Sequence, residues 1–211
     1  DDKLESSQKT FNRKDLGLDE DAFVFCCFSK SRKIQYKEFD IWMNLLLKRD
    51  NSVLWLLEDN MLAKNNIIKE AKRKGIDSSR IIFSKKIPLR DHISRQSCAD
   101  LVLDTFNFSS GTMSLLAIKS GLPILTLSGN TFSSRLTTSV LNGFGLKELI
   151  SYNFKEYENK ALYLSEKKEN ILNLKNKIIA LKESSPFLNS KRYCRDLETE
   201  FIKLIEIHRN Q

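Results

Sequence analysis

Histidine is almost absent: His92 and His208 are the only two in 211 residues. No zinc site of usual ligand spacing can be assembled from them, so no metal is expected. The four cysteines, Cys26, Cys27, Cys98 and Cys194, include no Cys-x-x-Cys pair. Cys26 and Cys27 are neighbours on one strand and so point to opposite faces. Free, mostly buried thiols in a reducing compartment are therefore expected, which places the protein in the cytoplasm. Long apolar runs are also missing. Ser52-Val53-Leu54-Trp55-Leu56-Leu57 is far too short to cross a bilayer, so no membrane association is expected. Asp1-Asp2-Lys3-Leu4-Glu5 offers neither a Met nor the apolar stretch of a secretory signal and reads as the cut end of a longer chain. There is no internal repeat and no low-complexity segment. Nor is there a stripe of aromatic residues and arginines of the kind that stacks bases. Lys and Arg total 35 against 27 Asp and Glu, a net charge of +8. The cations are interleaved with acids, as in Glu70-Ala71-Lys72-Arg73-Lys74, which describes a solvated surface rather than a nucleic-acid partner.

What is present is an α/β pattern. Phe23 to Phe28 is a continuous apolar run, as expected of a parallel strand buried on both faces. Phe39, Trp42, Met43, Leu46 and Leu47 then recur at helical spacing. Further strands are predicted at Val53 to Leu57, Ile81 to Phe83, Leu101 to Asp104 and Pro123 to Leu127. Helices are predicted around Ile67 to Ala71, over Thr112 to Ser120 and over Arg135 to Leu141, with a helical turn at Asp91 to Gln96. Alternation at this interval implies βαβ units with right-handed crossovers, hence a Rossmann-like, doubly wound parallel sheet. The expected organisation is a lead-in over 1–19, a Rossmann-like domain over 20–152 and a helical extension over 153–211. In that extension Ser184-Ser185-Pro186 breaks the helical pattern. It would pack on this domain or on a part of the protein that precedes it.

Ligands of open parallel sheets bind beyond the carboxyl ends of the strands. Two loops there are informative. Lys30, Arg32 and Lys33 follow the first strand and place three cations within four residues, which suits an anion. A departing diphosphate can be stabilised by a lysine without a metal. A solvated basic loop is the plainer alternative. Ser109-Ser110-Gly111-Thr112 leads into a helix whose first amides have no intrahelical acceptor and can face a phosphate. Helix capping alone also explains those residues. In Ile87 to Arg95, the His92 ring could stack on a base and Arg95 could meet its carbonyl edge, although a satisfied helix histidine is the plainer reading of His92.

Together these residues resemble glycosyltransferase family 41, the O-linked N-acetylglucosamine transferases with their SPINDLY-like and bacterial relatives. The resemblance runs through Asp21 to Phe28, Asn51 to Leu57, Arg80 to Ser84, Ala99 to Thr105, Gly121-Leu122-Pro123 and Thr131 to Arg135. It covers roughly residues 10–205 in one register. It implies the C-terminal, donor-binding half of a GT-B enzyme that inverts at the anomeric carbon and transfers from a UDP-sugar, UDP-GlcNAc above all, to protein Ser or Thr, without a metal or another cofactor. It also implies a protein acceptor, an N-terminal catalytic half and tetratricopeptide repeats elsewhere in the parent protein. The family's essential phosphate-contacting lysine falls on Lys33, with Lys30 beside it. Its uracil-stacking histidine falls on His92, its base-contacting arginine on Arg95, and Ile87 offers its backbone to the base. The phosphate-binding helix start falls on Ser110, Gly111 and Thr112.

Three positions depart from the family. Met113 stands where a second threonine is usual and Leu116 where an aspartate is. Leu89 replaces a lysine that contacts the ribose in animal members. Leucine offers no hydrogen bond to a sugar. The alternative is accordingly a catalytically degenerate module with altered or lost donor binding.

Overall fold

The computed structural model describes residues 7–185 and 188–210. Two sequence expectations, the chain end read at Asp1 to Glu5 and the break at Pro186, lie outside the described residues. Six strands form one sheet: β1 (Phe23–Cys27), β2 (Ser52–Leu57), β3 (Ile81–Ser84), β4 (Leu101–Leu103), β5 (Ile124–Leu127) and β6 (Ile150–Ser151), in the order β3-β2-β1-β4-β5-β6. Every pairing is parallel; Phe25 sits opposite Leu54 on one side and Leu101 on the other. The two-residue strand β6 was not expected. A bridge that short carries no periodicity of its own and exists because Ile150 and Ser151 meet Thr126 and Leu127.

Between the strands run α1 (Tyr36–Lys48), α2 (Met61–Arg73), α3 (Leu89–Arg95), α4 (Thr112–Lys119) and α5 (Leu136–Gly143). The helix expected from Arg135 begins one residue later, because Ser133–Arg135 forms a separate 3-10 turn. Trp42 and Met43 of α1, Trp55 of β2, and Phe25, Leu101 and Leu103 are fully enclosed between the layers. The near-continuous apolar strands are thus explained by helices on both faces.

Three helices follow, α6 (Phe154–Glu166), α7 (Lys168–Ser184) and α8 (Ser190–Arg209). Helix α6 packs on β5, β6 and α1, and α7 packs on α4 and α6, burying Tyr157, Ala161, Leu164, Ile171, Leu174 and Ile178 in the same core. Helix α8 buries none of its residues, and Tyr193, Phe201, Ile202 and Leu204 are exposed. Among the described residues no helix is long and apolar enough to cross a membrane.

The strand order reverses between β1 and β4, the next strand on each side being reached by a crossover in the opposite direction. Two adjacent loops therefore diverge above the carboxyl edge, leaving the crevice in which open α/β sheets hold ligands. The loop after β1 carries Lys30 and Lys33, and the loop after β4 carries Ser110, Gly111 and Thr112.

Candidate functional site

The loop after β1 is short and anchored. Ser31–Lys33 makes one 3-10 turn, with the Lys33 amide donating to the Lys30 carbonyl at 2.9 Å. The Ser31 hydroxyl donates to Asp59 at 2.8 Å, tying the turn to the loop after β2. Lys30 is exposed, whereas Lys33 is half-buried and leans toward the neighbouring loop. The Lys33 ammonium lies 4.1 Å from the centroid of the Phe108 ring. Cations sit favourably over an aromatic face. Burial lowers the Lys33 pKa, against the opposing pull of the Asp104 carboxylate. Among the described residues Lys33 forms no ion pair, so its charge is not already neutralised by a carboxylate.

The loop after β4 is organised around Asp104, which is wholly buried at the strand end. Its Oδ1 accepts from the amides of Thr105 at 2.9 Å and Ser110 at 2.8 Å, and from the Ser110 hydroxyl at 2.6 Å. Its Oδ2 accepts from the Thr126 hydroxyl on β5 at 2.8 Å. Burial pushes the Asp104 carboxyl up, against the bonds from Ser110 and Thr126. Ser110 is thus spent on Asp104, whereas the amides of Gly111 and Thr112 have no acceptor among the described residues. Gly111 caps α4 at φ 52° and ψ −115°, backbone that a side chain disfavours. A Cβ there would also come within 3.4 Å of Leu136. The glycine lets the chain turn so that two amides emerge together at the positive end of α4.

His92 and Arg95 sit on α3, which follows β3, and both are buried. Arg95 Nε donates to His92 Nδ1 at 3.0 Å, and its Nη1 donates to the Lys85 carbonyl at 2.9 Å. The His92 ring meets Phe28 edge-on, centroids 4.8 Å apart, and the Arg95 guanidinium covers the Phe28 face at 4.9 Å. Burial, reinforced by the Arg95 charge, depresses the His92 pKa to about 4, so the imidazole is neutral at physiological pH. Because the folded value lies below the unfolded one of about 6.5, the native state binds fewer protons between them. Stability contributed by His92 is full above about pH 6.5 and is lost as pH falls toward 4. We expect urea denaturation to show about 2–3 kcal/mol of such loss by pH 4, absent in His92→Gln.

The three clusters differ in what they bring together. Lys33 meets the loop that carries Gly111 and Thr112; His92 and Arg95 meet each other and Phe28; Ile87 is half-buried near them, and Leu89 is exposed. Of the departures, Leu116 is buried in the core and Met113 is half-buried. Sequence reasoning gave no role to Asp104, Phe108 or Glu38. An acid closing an apolar strand was a signal for Asp104, and Gln35-x-x-Glu38 before an apolar helix was one for a capping box. Nothing marked Phe108. Among the described residues no three His, Cys, Asp or Glu side chains gather as metal ligands would.

Comparison with known proteins agrees with this architecture. The profile of glycosyl transferase family 41 matches residues 2–197. A UDP-N-acetylglucosamine--peptide N-acetylglucosaminyltransferase of Caenorhabditis elegans is 32% identical over 187 residues, covering 89% of this chain and 16% of that protein. A probable enzyme of the same description from Arabidopsis thaliana, SEC, is 29% identical, covering 93% of this chain and 20% of its own length. This chain therefore spans about a sixth to a fifth of those relatives. Among solved structures, a Thermobaculum terrenum O-GlcNAc transferase mutant superposes with a TM-score of 0.79 at 25% identity, over 94% of this chain and 38% of that one. The Anabaena protein HepE, solved with UDP and glucose, superposes at 0.67 with 16% identity, which speaks to fold alone. With a family profile spanning nearly its whole length and a Rossmann-like sheet of matching shape, the chain belongs to glycosyltransferase family 41.

Proposed function

We propose that this chain is the donor-binding half of an inverting, metal-independent protein O-glycosyltransferase that moves N-acetylglucosamine from UDP-GlcNAc to Ser or Thr. One observation carries the reading: the Lys33 ammonium, without an ion pair among the described residues, lies over Phe108 on the same rim as the Gly111 and Thr112 amides, which have no acceptor among them. Such a cradle suits a diphosphate. As the sugar–phosphate bond breaks, negative charge grows on the leaving oxygen, and a fixed cation in a partly desolvated crevice stabilises it more than water does. The Gly111 and Thr112 amides hold the diphosphate in place, and the Ser110 bonds to Asp104 fix the direction of those amides. The segment from Ile87 to Arg95 would hold the base. There His92 is neutral, as a stacking ring must be to avoid burying a charge, and Lys30 adds to the anion-attracting field.

Isothermal calorimetry of the full-length protein with UDP and UDP-GlcNAc, followed by transfer assays on protein acceptors, tests the reading. Micromolar to sub-millimolar binding with transfer is expected.

A second reading has its own observation. Leu116 is sealed in the core and Leu89 faces solvent, so neither position can offer a sugar a hydrogen bond. A module that kept the fold and lost its donor would look the same there. No heat with UDP at millimolar concentration would favour it.

A further inference from the structure

Glu38 is wholly buried near the start of α1, yet it lies outside the phosphate-facing residues described above. Its Oε2 accepts from the Gln35 amide, closing the capping box of its own helix. Its Oε1 accepts from the Phe106 amide, on the loop after β4 and 68 residues away in sequence. Gln35 is two residues after Lys33, and Phe106 is two residues before Phe108, whose ring carries the Lys33 ammonium. One carboxylate therefore joins the two loops that form the crevice. Helix capping alone needs only one of those oxygens. A side chain serving only the helix would have no reason to bury the other against a distant loop.

We propose that Glu38 is a positioning residue that holds the Lys33 turn and the loop leading to Gly111 and Thr112 at their working separation. The role rests on the donor-site reading given above. The groups facing Glu38 are Asp104 from the end of β4, Tyr157 from α6 and Cys27 from β1; none is cationic. Burial raises the Glu38 pKa to about 7, opposed by the two amide bonds and reinforced by the Asp104 charge. Both amides require an acceptor, so the ionised carboxylate matches them and the protonated form serves one of them less well. The strut therefore loosens as pH falls through about 7, while the raised pKa makes the protonated fold the relatively stabler one. Rim geometry and global stability then respond to pH in opposite directions.

The test uses the full-length protein, with Glu38→Gln and Glu38→Asp as variants, and reads both amide hydrogen exchange and UDP calorimetry between pH 6 and 8. Glutamine turns one amine toward an amide donor, and aspartate keeps the charge but is too short to span both loops. The expected result is at least tenfold faster exchange at Phe106 in either variant, with the amides of β1 and β4 unchanged. A UDP affinity at least tenfold weaker at pH 8 should accompany it. The change in affinity between pH 8 and pH 6 should shrink in Glu38→Gln relative to wild type, since protonation of UDP itself is common to both. Unchanged exchange at Phe106 in a folded variant overturns the strut. Faster exchange with wild-type UDP affinity overturns its link to the donor. Absence of UDP binding in the wild type instead refutes the donor-site reading, and the exchange measurement still decides whether Glu38 joins the loops. Should Glu38→Gln fail to fold, Glu38→Asp supplies the same exchange comparison with the helix cap retained.

Discussion

Lys33→Ala in the full-length protein is expected to lower kcat for transfer from UDP-GlcNAc by about 10²–10³-fold, the usual cost of deleting one preorganised donor at developing charge. The ammonium has no carboxylate partner among the described residues and rests over Phe108 at 4.1 Å. The buried Asp104 carboxylate nearby keeps its four hydrogen bonds when the ammonium is removed, so the fold should be little affected. Thermal denaturation of the variant is expected within a few degrees of wild type. A smaller effect on KM than on kcat would show that the cation acts mainly on the charge of the transition state. Full activity in a folded Lys33→Ala protein would remove the lysine from the mechanism.

The second large effect is expected at Asp104. Asp104→Ala removes the acceptor for the amides of Thr105 and Ser110 and the hydroxyls of Ser110 and Thr126. Each donor left unpaired in a buried site costs about 1–3 kcal/mol, and partial re-pairing keeps the sum below the simple total. A loss of about 3–4 kcal/mol in urea denaturation is expected, with Asp104→Asn losing less because its amide oxygen still accepts. The same variant should weaken UDP binding, because Ser110 fixes the backbone just before Gly111. A protein that binds UDP normally while losing that stability would separate the loop's packing from its ligand role.

The sequence and the tertiary structure contributed differently to these two sites. Local pattern was enough for the strands β1 to β5 and the helices between them, because burial on both faces leaves near-continuous apolar runs such as Phe23 to Cys27. The position of Lys33, Gly111 and Thr112 beyond the carboxyl ends of β1 and β4 was also legible, since it follows from the order of strands and helices along the chain. Strand β6 was not legible, since two residues hold no period and only their pairing with β5 defines them. Helix ends were read less closely: the helix marked from Ile67 begins at Met61, and Arg135 belongs to a separate 3-10 turn.

By itself, the sequence determined the layered parallel architecture and the residue types able to meet a diphosphate, because periodicity and side-chain chemistry are local properties. Only the tertiary structure decided that Ser110 is consumed by Asp104, that His92 and Arg95 are buried on one another, and that Glu38 spans two loops. Those are contacts between residues as far as 68 positions apart, as with Glu38 and Phe106. The acceptor a buried donor finds depends on which strands become neighbours, and that is set by the packing of the whole sheet.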